Sequence, residues 1–218
     1  MSTREQTPTP AAAVEDAPAT ATIWNKVGYW LPHLVALAYC LVILMAISTQ
    51  FTGAHDMPCP LCTLQRMAMI LIGIGAVWMV GLTRKGRMNM GAYARGYGLM
   101  ILGALLGMII STRQVLLHIE PDDPGYGGTV LGLHFYTWAL ITFLIVLVYS
   151  GVMLTLTRRT YPVAPTGKGA LMLSSVIVYF FVFVIALNVV LIFIEQGFNW
   201  VLPDDPSRYE LLYQLGIK

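Results

Sequence analysis

The sequence predicts an all-α protein, a polytopic bundle of membrane-crossing helices. Three observations carry this. Of 218 residues, 57% are hydrophobic and only 11% charged, whereas a soluble domain carries about 25% charged residues to keep its surface hydrated. The apolar residues gather in five runs of about 20, the length that crosses a hydrocarbon layer as helix. None of the runs shows the short alternating polarity of a membrane barrel strand. The same composition excludes a soluble globule, a disordered chain and a collagen-like repeat, and 3 cysteines are too few for a disulfide-dense secreted scaffold. A net charge of +2 is too weak a footprint for nucleic acid, so the expected surroundings are a lipid bilayer and no nucleic acid.

Residues 1–22 are mostly Ala, Pro and Thr, with little to bury, and read as a disordered tail without a domain of its own. The first apolar run comes late and is long, unlike a secretory leader, so it is expected to stay attached. The five spans fall at 29–51, 65–83, 95–118, 134–157 and 170–195. Gly73 and Gly75 in the second span, with Gly96, Gly98, Gly103 and Gly107 in the third, suit close helix packing. Cys40 reads as a small buried residue of the first span. His33 and His134 are expected to bond neighbouring helices, the alternative being haem ligation.

Nine of the thirteen Lys and Arg residues (Arg4, Lys26, Arg84, Lys85, Arg87, Arg95, Arg158, Arg159 and Lys168) lie on the side shared by the N-terminus and the second and fourth connections. That side is predicted cytoplasmic. The 52–64 and 119–133 connections and the C-terminal tail then face outward, with Arg66, Arg113, Arg208 and Lys218 and most of the acids, Asp56, Glu120 and Glu195 among them. Tyr136, Trp138, Phe198 and Trp200 fit an interfacial aromatic belt.

Met57-Pro58-Cys59-Pro60-Leu61-Cys62 is the most informative stretch. Two thiols spaced C-x-x-C can close a small ring reversibly as a disulfide, and an outward position in a bacterial inner membrane is an oxidising one. A c-type haem site would need His after the second Cys, where Thr63 stands. A structural zinc site needs four ligands, and only His55 is near. A static disulfide clip remains the bland alternative. Cys62 lies close to the start of the second helix, where free N–H groups and the helix dipole favour a thiolate. Arg66 follows one turn inward on the same face. It either snorkels to the headgroups or faces a polar cofactor. A thiolate, a cation and an apolar cleft suit a lipophilic two-electron acceptor such as a quinone. No glycine-rich strand-to-helix turn for a nicotinamide cofactor is present.

Pro58-Cys59-Pro60-Leu61-Cys62-Thr63-Leu64-Gln65-Arg66 resembles the active segment of the DsbB family, bacterial inner-membrane thiol:quinone oxidoreductases. That family shows C-x-x-C, then a short step to an acidic or amide residue followed by Arg, at the outer start of the second span. Arg113-Gln114-Val115-Leu116-Leu117-His118 is similar to the family's R-Q-x-W-L-Q stretch, with Leu116 in place of Trp and His118 in place of the second Gln. The resemblance covers about residues 29 to 157. It implies a four-helix membrane domain at 23–157 in the inner membrane, with the N-terminus cytoplasmic. Residues 158–218 then form a cytoplasmic linker, an added fifth transmembrane helix and a periplasmic tail.

The resemblance also implies a two-electron relay. A periplasmic thioredoxin-fold dithiol protein would reduce a Cys59–Cys62 disulfide, and the pair would reduce ubiquinone or menaquinone. Cys62 would face the quinone and Cys59 the protein partner. Arg66 would hold the quinone, with Arg113, Gln114 and His118 as further quinone-binding candidates and no metal. Gln114 and His118, one turn apart on one face, either line that pocket or cap the helix end. The family's second periplasmic cysteine pair is missing from the 119–130 connection, so a partner thiol is expected to attack Cys59 directly or to bring its own relay. The competing class is a non-catalytic membrane subunit of a larger complex, its cysteine pair a structural clip and its fifth helix and tail a docking element. The reverse flow, quinol to disulfide, depends on potentials.

Two further features are local. Pro121-Asp122-Asp123-Pro124 recurs as Pro203-Asp204-Asp205-Pro206; turn and N-cap chemistry is the expected role, a divalent-cation site the alternative. Asp205-Pro206 followed by 207–215 predicts a capped short helix with an apolar stripe.

Overall fold

The computed structural model describes residues 22–51, 57–201 and 206–217. The expected tail over 1–21, His55, Asp56 and the span Pro203 to Asp205 lie outside the described residues. Five helices are long and apolar enough to cross a membrane: α1 (Ile23–Phe51), α2 (Pro60–Arg84), α3 (Met90–Leu117), α4 (Phe135–Thr155) and α6 (Lys168–Gln196). One-turn helices, α5 (Thr157–Thr160) and α7 (Glu210–Gln214), follow α4 and α6. The protein is a polytopic helical membrane bundle.

Local chemistry sets the helix ends. Cys59 is the N-cap of α2, Pro60 occupies the first helical position, where a missing N–H costs nothing, and the Cys62 N–H donates to Cys59 Sγ at 3.3 Å. Asn89 caps α3 by accepting from the Ala92 N–H at 2.8 Å. Gly197, at φ +61°, ends α6.

α2 is the centre of the bundle, packed against α1 and α3, while α4 lies on α3 and α6 on α1. Small residues permit this closeness: a Cβ on Gly75 would sit 2.9 Å from the Gly96 carbonyl, and one on Gly107 would sit 2.3 Å from the Phe143 ring. Gly73, Gly96 and Gly103 likewise face neighbouring helices, but a Cβ on Gly98 would meet nothing within 4 Å, so packing does not explain that glycine. Cys40 is buried in the core. At the end of the bundle away from the cysteines, the Tyr29 hydroxyl donates to Ser174 Oγ at 2.9 Å, Ser174 Oγ lies 2.8 Å from His33 Nε2, and His33 Nδ1 lies 2.9 Å from the Tyr29 carbonyl. This ties α1 to α6 in the manner expected of an intramembrane histidine.

The connection after α3 carries an element the sequence did not signal: Thr129–Val130 (β1) and Leu133–His134 (β2) form an antiparallel hairpin whose turn residues Leu131 and Gly132 have φ of +53° and +79°, the backbone of a primed two-residue turn. Two expectations are corrected. Tyr136 does not join an aromatic belt; it is 5% exposed and stacks on His134 and His118. The last helix starts at Glu210 behind Tyr209, with no side-chain cap, rather than at Pro206. Arg208 explains the shift: it bonds Glu210 at 2.7 Å and lies over the Tyr213 ring, fastening the first turn from outside.

Candidate redox site

Cys59 and Cys62 meet where α2 begins, because N-cap and third helical position face each other across one turn. Their sulfurs lie 2.9 Å apart. Cys59 is buried and Cys62 half-buried. The hydrogen bond shared with Cys62 and, after it, burial push the Cys59 thiol well above the ordinary cysteine range, so the proton shared by the pair stays with Cys59.

Gln114 reaches the pair from the last turn of α3. Its Nε2 donates to both sulfurs at 3.5 Å, while its Oε1 accepts from Gln65 Nε2 at 2.9 Å. Both amides are buried, 1% and 5% exposed. Arg66, one turn beyond Cys62, is 5% exposed rather than extended to the headgroups. Its Nη2 donates to the Ala46 carbonyl of α1 at 3.1 Å, and its Nη1 has no hydrogen-bond partner among the described residues.

Cys62, Gln65 and Arg66 line one wall of a cavity of about 310 Å³ between α1, α2, α4 and the hairpin. That volume is within the range of small-molecule pockets. Apart from these groups the walls are mostly apolar, with Ile43, Met45, Met69, Leu131 and Phe135 among them. Tyr126 and Tyr136 form part of the roof, and the Tyr126 hydroxyl donates to the Met57 carbonyl at 2.5 Å, fastening the connection after α3 to the segment before Cys59.

Of the six residues singled out in the sequence, Cys59, Cys62, Arg66 and Gln114 come together here. His118 stands at the edge: it caps α3, pairs with Asp123 at 3.0 Å and stacks on Tyr136. Arg113 is exposed and lines a shallow outer groove with Leu105, Ile109 and Leu116, away from the sulfurs. Gln65, Tyr126, Tyr136 and Glu195 were not singled out. Gln65 stood inside the quoted motif, so its place was signalled; the other three reach the site through contacts distant in sequence.

The helical membrane bundle holds a C-x-x-C pair against an apolar cavity, an arrangement whose residue types can carry thiol–disulfide chemistry. Residues 29–127 match the family model "Disulfide bond formation protein DsbB". The chain is also similar to Disulfide bond formation protein B of Chromobacterium violaceum, 38% identical over 101 residues, which is 46% of this chain and 56% of that protein. The match thus spans little more than half the length of that relative. No solved structure matches. α6 and α7 lie beyond both the matched segment and the four-helix pattern.

Proposed function

We propose that this chain is a membrane thiol:quinone oxidoreductase in which the Cys59–Cys62 pair passes electrons between a periplasmic thioredoxin-fold dithiol protein and a membrane quinone. The observation that carries this reading is the cavity: an apolar chamber into which one reactive sulfur and one buried cation both project. The residues present fit such a group, since the Arg66 Nη1 has donors to offer and no acceptor among the described residues, and a quinone carbonyl is an acceptor in an apolar ring. Arg66 and Gln65 would hold it, ubiquinone and menaquinone being the two candidates. When bound, a quinone supplies a two-electron, two-proton acceptor that diffuses in the bilayer.

The chain's own residues divide the remaining work. Cys62 is the sulfur that lines the cavity and Cys59 the one that does not, which supports Cys62 on the quinone side and Cys59 on the protein side. Gln114 offers N–H groups to both sulfurs and stabilises negative charge as it develops there. Arg66 places a fixed positive charge in a dry site, where it acts far more strongly than in water. The tyrosine roof and the hairpin exclude water. His118 anchors that roof through Asp123, a supporting role, and Arg113 has no part at the cavity. With no cysteine between residues 119 and 134, the partner thiol attacks Cys59 itself. The inner membrane, with the cysteine end periplasmic and the N-terminus cytoplasmic, is the compartment consistent with the Lys and Arg distribution.

The test is thiol alkylation of purified protein cycled with a short-chain benzoquinone and a reductant. Cys59 and Cys62 are expected to alternate between blocked and alkylated. A pair that stays unreactive in both conditions would overturn the reading in favour of a structural clip.

A further inference from the structure

α6 buries five residues, Ser174, Phe181, Val184, Asn188 and Glu195. Their successive spacings of seven, three, four and seven place them on one stripe, the face that packs on α1 and α2. The last is a carboxylic acid only 2% exposed. An ionisable group at such a depth is costly in a bilayer and is found where it faces a partner or a functional site.

Glu195 faces Arg66. The carboxylate and the guanidinium are close enough to act on each other electrostatically without forming a direct ion pair, and the Gln50 amide of α1 approaches the carboxylate. Tyr209, just ahead of α7, is within electrostatic reach of the same carboxylate. Among the described residues, Arg66 Nη1 and the Tyr209 hydroxyl are buried without a hydrogen-bond partner, and the Glu195 carboxylate and the Gln50 amide, also buried, have no well-formed hydrogen bond beyond their approach to each other. Four segments of the chain therefore bring buried polar groups into the neighbourhood of Arg66, whose guanidinium lines the cavity while Glu195 does not. Arg66 also feels Cys62 and Cys59. One guanidinium thus serves two places where negative charge can reside.

We propose that Glu195 is a positioning residue of the thiol–quinone site, the countercharge of Arg66 whose carboxylate takes up and returns one proton as negative charge rises and falls on the cavity side of the guanidinium. This rests on the quinone reading above. In a low-dielectric site a single cation cannot neutralise two anions at once, so charge arriving near Cys62 is balanced when the carboxylate becomes a carboxylic acid. The step balances. In the reduced pair Cys59 holds its S–H, Cys62 is a thiolate and Glu195 is the carboxylic acid that balances it; the Cys59 S–H and Glu195 O–H bonds break, the S–S bond forms, two electrons pass to a quinone, and the two protons complete the hydroquinone. Glu195 is a carboxylate in the disulfide state and takes its proton up again when the pair is next reduced. The groups that face Glu195 among the described residues are Arg66 from α2, Gln50 from α1 and Tyr209 from the tail; His33 and Arg84 bond Ser174 and Ser175 near the opposite end of α6.

The experiment compares the full chain with Glu195→Gln and Glu195→Asp in lipid nanodiscs, by two readouts. Infrared difference spectra between the dithiol and disulfide states, without quinone, are expected to contain a carboxylic-acid carbonyl band that shifts in Glu195→Asp and vanishes in Glu195→Gln. Single-turnover oxidation of the dithiol by a short-chain benzoquinone is expected to slow at least roughly tenfold in Glu195→Gln and to lose a pH-dependent limb, with Glu195→Asp restoring most of both. A wild-type chain that never reduces the benzoquinone would overturn the quinone reading and this proposal with it. A wild-type chain that does, with the band and pH profile unchanged in Glu195→Gln, would overturn the role of Glu195 alone. Should Glu195→Gln fail to fold, the absence of a band shift in Glu195→Asp overturns it equally.

Discussion

Gln65 donates through Nε2 to Gln114 Oε1 at 2.9 Å, and this bond fixes which end of Gln114 meets the cysteines: with its oxygen engaged, its N–H groups point at both sulfurs at 3.5 Å. A hydrogen bond to a charged group contributes about 1.5–3 kcal/mol, and the length of these contacts places them at the lower end. Gln114→Leu is expected to slow alkylation of Cys62 at neutral pH by roughly tenfold. Gln65→Leu, which frees Gln114 to turn, should shift the rate less and in the same direction. Stopped-flow alkylation with mass-spectrometric assignment of the labelled cysteine checks both; unchanged rates in Gln114→Leu would remove Gln114 from the site.

Arg66 and Glu195 are buried in a common cluster, so removing one leaves the other's charge without its counterpart. Breaking a close buried pair costs about 3–5 kcal/mol; here no direct ion pair forms, and a coupling of about 0.5–3 kcal/mol is the fitting scale. Arg66→Met and Glu195→Gln are each expected to lower the thermal midpoint in detergent, and the double variant to lie above the sum of the two losses. Strict additivity would mean that the two charges do not sense each other.

The hydropathy runs made all five long helices legible, because a span must be apolar over its whole length whatever it packs against. Their ends were less so. α2 begins at Pro60, not near residue 65, since counting apolar residues ignores the cap that Cys59 and Pro60 supply. The hairpin was lost because strands of two residues have no period to detect. Glu195 was hidden for a different reason. A single acid at the end of a span reads as interfacial, and only the crossing of α6 over α1 and α2 turns it toward Arg66. The motif exposed Cys59, Cys62, Arg66 and Gln114, whose placement depends on local helix geometry. Arg113, adjacent to Gln114, was carried along by the motif although one residue along a helix turns a side chain by about 100°, enough to send it to the outer surface.

Asp123 accepts the Gly125 N–H at 2.7 Å and pairs with His118 at 3.0 Å. The Gly125 bond first, and His118 after it, hold its carboxyl below the usual carboxylate range. A carboxyl lowered on folding contributes above its unfolded pKa and loses that contribution as pH falls through the lowered value. The turn after α3 is therefore expected to stay fastened through mildly acidic pH and to loosen only below the ordinary aspartate range. Hydrogen exchange across residues 119–134, followed against pH, reads this directly. Asp123→Asn keeps an acceptor for Gly125 but should abolish the acid transition; a transition that persists in this variant would assign it to another group.

Gly107 and Phe143 show how the packing of the bundle reaches the sulfurs. Phe143 is fully buried, and a Cβ on Gly107 would lie 2.3 Å from its ring, so Gly107→Ala must push α3 and α4 apart. Overpacking of this kind costs about 1–3 kcal/mol. Gly107, Ser111 and Gln114 occupy one buried stripe of α3, which makes a displacement at Gly107 a displacement of Gln114 two turns away. Gly107→Ala is therefore expected both to lower the thermal midpoint and to slow Cys62 alkylation. Phe143→Leu in the same chain should recover both by making room. Gly98→Ala, where the added carbon meets nothing within 4 Å, is expected to be neutral or stabilising by up to about 1 kcal/mol. If Gly107→Ala lowers the midpoint yet leaves alkylation untouched, α3 is not the element that sets Gln114 against the cysteine pair.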